Sequence, residues 1–280
     1  HRRMTTTTVP LAAVIGSPIA HSRSPRLYRH WLQVHGIVGY YVPMDIQASN
    51  LREVLSTLPK MGFKGVNVTL PHKESALSIA DRVSDRAALI GAANTLTFQP
   101  DGSIHADNTD GIGFLENIRS GAPGWNAKDG PALVLGAGGA ARAVIASLID
   151  AGTSEIRIAN RTRVKADLLR DAFGPRVTVV DWNNISKDLE DLATIVNTTT
   201  LGMEGQAEFK VSLDALNPEA VANDLVYTPL ETGFLKAAAQ RGCQTVDGLG
   251  MLLHQAVPGF ERWFGVRPKV TDELRAVALA

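Results

Sequence analysis

The chain has 280 residues, and its 28 Lys plus Arg balance its 28 Asp plus Glu. That balance leaves no electrostatic footprint for nucleic acid and no acidic tail for a charge-driven partner. The single cysteine, Cys243, excludes an intrachain disulfide and reads as a small buried residue in a reducing compartment, and no run reaches the roughly 18 apolar residues of a membrane span.

The opening HRRMTTTTVP holds no apolar signal segment. Residues 1–3 before Met4 read as a cloning remnant, and the cytoplasm is the expected compartment. LAAVIG (11–16) predicts a strand. Ser24-Pro25 predicts a helix N-cap followed by an N1 proline, with Leu27, Trp31 and Val34 on one face and Gly36 as the stop. GYYVPMDI (39–46) predicts a second strand, whose Pro43 confines its end to a sheet edge. Leu51, Val54, Leu55 and Leu58 form a helical stripe, and GVNVT (65–69) predicts a third strand. Pro71 is expected to open the next helix at N1, and SDRAALIGA adds another turn or two. NTLTF (94–98) reads as a strand followed by the turn PDGS.

The pattern restarts with ADNTDGIGFLENI and the Gly/Pro-rich GAPGWNAKDGP. A strand–turn–helix unit, ALVLGAGGAARAVIASLIDAG (132–152), comes next. EIRIANRT, VTVVDW, ATIVNTTTLGM, AVANDLVY and CQTVDG carry further strands, and LGMLLHQAVPGFERWFG is a strong amphipathic helix. Short β-branched runs alternating with amphipathic stretches are the βαβ signature of α/β proteins with open parallel sheets.

Gly136-x-Gly138-x-x-Ala141 follows an apolar strand and opens a helix. The first glycine permits the tight turn and the second lets backbone amides approach a pyrophosphate. The small third residue lets helix and strand pack closely. The helix N-terminus adds partial positive charge. The next strand ends near Asn160, about where an NAD enzyme places an acid against the ribose 2′-hydroxyl. Here Asn160, Arg161, Thr162, Arg163 and Lys165 stand instead. Cations at a helix N-terminus oppose the macrodipole, so an anionic ligand explains them better than helix stability does. An amide, a hydroxyl and cations suit a 2′-phosphate, which favours NADP(H) over NAD.

The N-terminal half places polar residues after strands: Ser22 and Ser24, then Asn67, Thr69 and Lys73, then Asn94 and Asp110. Ligands of open parallel sheets bind outside the strands' carboxyl ends. Hydroxyls and amides in that number suit a small polyol, and one lysine with one aspartate suits proton transfer. His21, His72 and His254 read as positioning or packing residues, and His21 and His72 do not stand at metal-ligand spacing, so no metal is expected.

GSPIAHSRSP, NVTLPHK, GAANTL, DNTDGIGF, GAGGAAR, NRT and GMLLHQA occur in an order and spacing that resembles the shikimate dehydrogenase family, over about residues 11 to 270. The resemblance implies NADPH-dependent, reversible reduction of 3-dehydroshikimate to shikimate in aromatic amino-acid biosynthesis. It implies a discontinuous catalytic domain of residues 1–109 and 248–280, and an inserted Rossmann NADP-binding domain of residues 110–247. Ser22 and Ser24 are then expected to hold the substrate carboxylate, with Tyr227 close by, and Thr69, Asn94, Asp110 and Gln255 the ring hydroxyls, with Asn67 nearby. Lys73 and Asp110 are the expected catalytic pair. For the cofactor the resemblance points to Gly136, Ala137, Gly138, Gly139, Ala140, Asn160, Arg161, Thr162, Lys165, Leu225 and Gly248, and more weakly to Asp85. A small-molecule substrate, no nucleic-acid or membrane partner, and a monomer or homodimer complete the expectation.

The chain departs from the family pattern in places. Tyr28 stands where many relatives have histidine, and Gly233 where a proline usually opens a helix. Thr199 and Leu201 belong to a threonine-rich version of a cofactor loop. The alternative reading is a quinate/shikimate dehydrogenase, or a paralogue acting on a modified ring.

Overall fold

The structure, a computed structural model, describes residues 8–280, so the reading of residues 1–3 lies outside it. The chain divides into two compact units, one of His1–Thr109 with Ala256–Ala280, the other of Asp110–Gln255. In chain order the first unit holds β1 (Leu11–Gly16), α1 (Ser24–Val34), β2 (Tyr40–Asp45), α2 (Leu51–Thr57), β3 (Phe63–Val68) and α3 (Lys73–Ile79). It continues with β4 (Arg82–Val83), α4 (Asp85–Ile90), β5 (Thr95–Phe98) and β6 (Ile104–Asp107). The second unit holds α5 (Asp110–Gly121), β7 (Ala132–Leu135), α6 (Gly139–Ala151), β8 (Ile156–Ala159), α7 (Arg163–Phe173) and β9 (Val177–Val179). It ends with β10 (Thr194–Asn197), β11 (Val221–Asp224), α8 (Gly233–Gln240) and β12 (Gln244–Val246). The division between the units falls inside α9 (Leu249–Phe264), and α10 (Asp272–Leu279) closes the chain.

The first unit's sheet runs β2-β1-β3-β5-β6-β4. The β1 strand is parallel to both β2 and β3, as the alternating pattern implies. The β5 strand runs against both neighbours, β3 and β6. β2 is the edge strand that its proline predicts, with Pro43 opposite Val14. Period-two alternation splits β1 between two cores. Ala13 and Ile15 join Leu51, Leu55, Leu58 and Ala76 beneath α2 and α3. The other face carries an aromatic cluster from α1 and α9, in which Tyr28, Trp31, Phe260 and Phe264 meet at ring-centroid distances of 5.0 to 6.3 Å.

Two helix starts differ from the sequence reading. Ser24 is the first helical residue of α1, Arg23 is its cap, and the buried face is Leu27, Tyr28, Trp31 and Leu32; Val34 is exposed. Pro71 does not open α3. It lies in the turn before it, where the His72 N–H donates to the Thr69 carbonyl at 3.0 Å, and the helix begins at Lys73.

The second sheet runs β12-β11-β10-β7-β8-β9, with every pair parallel. Numbered from β7, this is the 3-2-1-4-5-6 order of a dinucleotide-binding sheet. Its core lies on both faces, under α5, α6 and α7 on one side and under α8 on the other. Cys243 is buried in the second of these layers, as its composition suggests. Among the described residues no helix is long and apolar enough to cross a membrane.

Candidate active site

In the first unit the polar residues gather where β1 and β3 end. The two strands are parallel, with Val14 opposite Asn67, so the segments after Gly16 and Val68 leave the sheet together. The Thr69 N–H donates to the Ile15 carbonyl at 2.9 Å. Because β5 is antiparallel, its start lies where β3 finishes, and the Val68 N–H reaches the Asn94 carbonyl at 2.8 Å. The reversal of one strand is therefore what brings Asn94 beside Asn67 and Thr69. Asn67 Nδ2 donates to the Asn94 carbonyl at 3.4 Å.

Asn94 is held from several sides. Its Oδ1 accepts from the Thr109 N–H and the Thr95 hydroxyl, each at 2.9 Å, and its Nδ2 donates to Thr109 Oγ1 at 2.9 Å. Lys73 opens α3 at the same corner, because its carbonyl accepts from the Ala93 N–H at 2.9 Å. His72, just before it, is buried, and its Nε2 donates to the Ile46 carbonyl at 2.6 Å; the bond fixes the start of the helix that carries Lys73. Ser22 and Ser24 flank Arg23 at the entry to α1, both half-buried.

Asp107 ends β6 three residues before Asp110. Burial acts to raise its pKa, but hydrogen bonds from Arg86, Arg262 and Ser84 outweigh burial and hold the carboxyl well below the usual range.

The second unit builds the glycine turn. Gly136 adopts φ +113°, a conformation that glycine takes without strain, and a Cβ there would overlap Thr198 Oγ1. Gly138 caps α6, and a Cβ at Gly138 or Gly139 would meet nothing within 4 Å. Ala137 and Ala140 complete the loop, and Ala141 packs into the core beneath it. The turn thus leaves open space in front of a helix N-terminus.

β8 stops at Ala159, and Asn160 Nδ2 donates to the Thr162 carbonyl at 2.9 Å. Thr162 caps α7, whose first turn contains no acid, and Arg161, Thr162 and Lys165 are exposed. The Arg161 guanidinium lies 6.0 Å from the Trp182 ring centroid. Beside it opens a cavity of about 280 Å³ whose lining includes Arg161, Trp182, Ser186, Leu201, Lys210 and Ser212. The lining holds two cations and no carboxylate, so the cavity suits an anionic or polar ligand. Sequence reasoning missed Trp182, Lys210 and Ser212, which lie outside any local motif.

Leu225 and Gly248 do meet: a Cβ on Gly248 would overlap the Leu225 carbonyl. Asp224, buried at the end of β11, accepts from Asn197 Nδ2 at 3.1 Å, the Val226 N–H at 3.0 Å and the Thr232 hydroxyl at 2.7 Å. Burial outweighs these bonds and raises its pKa to about 6. Thr232 also caps α8, accepting from the Leu235 N–H, and so secures the helix start where Gly233 replaces the usual proline. In the threonine-rich loop, Thr199 is tied down through its N–H and hydroxyl, both donating to Asn197 Oδ1.

Asp110 is the first residue of α5, Tyr227 follows β11, and Gln255 lies on α9 with its Nε2 donating to the Leu252 carbonyl at 3.0 Å. These three belong to the unit with the glycine turn, whereas Ser22, Ser24, Asn67, Thr69, Lys73 and Asn94 belong to the other. Asp85 opens α4 in the first unit and is exposed. Among the described residues no three His, Cys, Asp or Glu side chains come together to hold a metal ion.

Three family models match in sequence along the chain. They describe a shikimate dehydrogenase substrate-binding domain (14–96), a shikimate/quinate 5-dehydrogenase (121–204) and a shikimate 5′-dehydrogenase C-terminal domain (248–278). The chain is 65% identical over 277 residues to the shikimate dehydrogenase (NADP(+)) of Dinoroseobacter shibae, covering 99% of this chain and 100% of that protein. The chain belongs to the shikimate dehydrogenase family.

Solved structures agree. Shikimate 5-dehydrogenase from Thermus thermophilus, in complex with NADP(H) and shikimate, is 37% identical with a TM-score of 0.84, over 97% of this chain and 99% of that one. Quinate dehydrogenase from Corynebacterium glutamicum, in complex with NAD, is 31% identical with a TM-score of 0.87, over the same shares of the two chains.

Proposed function

We propose that the chain catalyses the reversible reduction of 3-dehydroshikimate to shikimate with NADPH, and that its first unit binds the substrate and its second the dinucleotide. The observation that carries this reading is the pairing of a hydroxyl- and amide-rich corner around Lys73 with a dinucleotide sheet whose second strand ends in cations and no acid. Family membership and the shikimate- and NADP(H)-bound relative support it.

The residues fit the cofactor. Gly138 and Gly139 leave room before the α6 N-terminus for a pyrophosphate, held by the backbone of Gly136, Ala137, Gly138, Gly139 and Ala140. Asn160, Arg161, Thr162 and Lys165 would hold a 2′-phosphate. Leu225 and Gly248 would flank the nicotinamide end. When bound, the reduced nicotinamide supplies the hydride that the carbonyl carbon needs.

The chain's own residues then manage the oxygen. Ser22 and Ser24, with Tyr227, orient the ring through its carboxylate. Asn67, Thr69, Asn94 and Gln255 hold the hydroxyls. Lys73 gives a proton to the carbonyl oxygen as it becomes a hydroxyl, and takes one back in the reverse direction, with Asp110 as its partner. The single buried thiol, Cys243, supports a cytoplasmic location.

The quinate dehydrogenase relative keeps a second reading in view. Steady-state oxidation of shikimate and of quinate, each with NADP and with NAD, separates them. Strong preference for shikimate with NADP supports the proposal. Comparable rates with quinate or NAD would overturn the specificity assigned here and favour the second reading.

A further inference from the structure

Behind the polar corner stand two tyrosines to which the roles above assign nothing. Tyr28 on α1 and Tyr41 on β2 stack with ring centroids 4.0 Å apart and planes 15° from parallel. Tyr28 is 0% exposed and Tyr41 9%. The Tyr41 hydroxyl donates to Asn67 Oδ1 at 2.7 Å. The Tyr28 hydroxyl donates to the Ala256 carbonyl at 2.9 Å, which fixes the ring that backs Tyr41.

An asparagine amide has one acceptor and one double donor, and reversing it exchanges them. Reversal of Asn67 would turn its Oδ1 against the Asn94 carbonyl, two acceptors facing each other. Asn67 is therefore locked with its Nδ2 turned toward the Asn94 side. Burial pushes both phenols well above their ordinary range, so Tyr41 remains a donor wherever the protein is folded.

We infer that Tyr41 is a positioning residue for substrate specificity: its phenol anchors the Asn67 amide oxygen, and so fixes the distance at which the site meets a ring oxygen of a hydroxylated cyclic acid. The inference rests on the substrate role proposed above for Asn67. It predicts tight discrimination between rings that differ in a hydroxyl next to Asn67, because a preset donor cannot adapt.

Tyr41→Phe keeps the stacked ring and deletes only the donor. With NADP saturating, KM for shikimate is expected to rise about tenfold, with kcat and KM for NADP within about twofold. Tyr40→Phe, the exposed neighbour on the same strand, is expected to change neither KM. In an Asn67→Ala background, Tyr41→Phe is expected to add less than its effect alone, because the shared bond is already gone. That double variant leaves no orphaned acceptor, so it remains informative if Tyr41→Phe alone folds poorly. An unchanged shikimate KM in Tyr41→Phe, or full additivity in the cycle, overturns the role of Tyr41. Wild-type turnover measured alongside separates the two readings. An active wild type with an indifferent Tyr41→Phe removes this inference alone, and a wild type inactive on shikimate removes both.

Discussion

Arg262 Nη2 lies 2.8 Å from Asp107 Oδ2, and Arg86 Nη2 reaches the same oxygen at 2.5 Å. Helices α9 and α4 are thereby pinned to the end of β6, three residues before Asp110. The carboxyl is held below the usual range, so its contribution to stability is complete above the unfolded value of roughly 3.9 and is lost as pH falls through the folded value. Asp107→Asn should lower stability at pH 7 by about 2 kcal/mol, after allowance for the part-exposed arginines. Its urea midpoint should also change less than the wild type's when pH is lowered below about 4.

Asp224 makes the opposite prediction. Its carboxyl is pushed up to about 6 in the folded protein, so ionisation opposes folding. Stability should fall as pH rises from the unfolded value near 3.9 to about 6, then level off. Asp224→Asn retains an acceptor for the Val226 N–H and should flatten that slope. Urea unfolding at pH 4.5 and 7.5, about the two ends of the window, checks it.

Lys73→Ala should cut kcat by about 10²-fold or more and leave KM for shikimate within a few-fold, the pattern of a lost proton donor. Equal loss in both constants would make Lys73 an anchor. Asp110→Asn should act in the same sense.

Arg161→Ala should weaken NADP by about tenfold in KM and leave the low NAD rate unchanged, since only one of the two carries the 2′-phosphate. Lys210→Ala should do the same if the cavity beside Trp182 receives that phosphate. Initial rates over a matrix of cofactor concentrations decide it, and an equal loss with NAD would assign both cations to general anchoring.

Much of the candidate site was legible because its signals are local. The glycine turn, its flanking strand and helix, and the missing acid after β8 all fall within about thirty residues, and the physics that shapes them is short-range. What was illegible is non-local. No local property of TLTF says that β5 runs against β3; pairing across the sheet decides that, and with it the position of Asn94. Tyr41 meets Asn67 from 26 residues away, through a neighbouring edge of the fold. Trp182 and Lys210 join Arg161 in one cavity lining from separate segments of the chain. Pro71 misled because X-Pro marks a boundary without fixing which side of it the helix occupies. α10 does carry a local signal: Thr271 followed by Asp272 and Glu273 marks a helix start, and the Thr271 hydroxyl accepts from the Leu274 N–H at 3.1 Å.

The placement of the units along the chain has a consequence for biosynthesis. The second unit is one continuous segment, Asp110–Gln255, whereas the first is split between the two ends. A chain emerging from the ribosome can complete the inserted unit while the first still lacks Phe260, Trp263 and Leu274, all buried in the finished fold. The first unit is therefore the last to become competent, and a nascent chain stalled after Gln255 should expose the partners of those residues to chaperones.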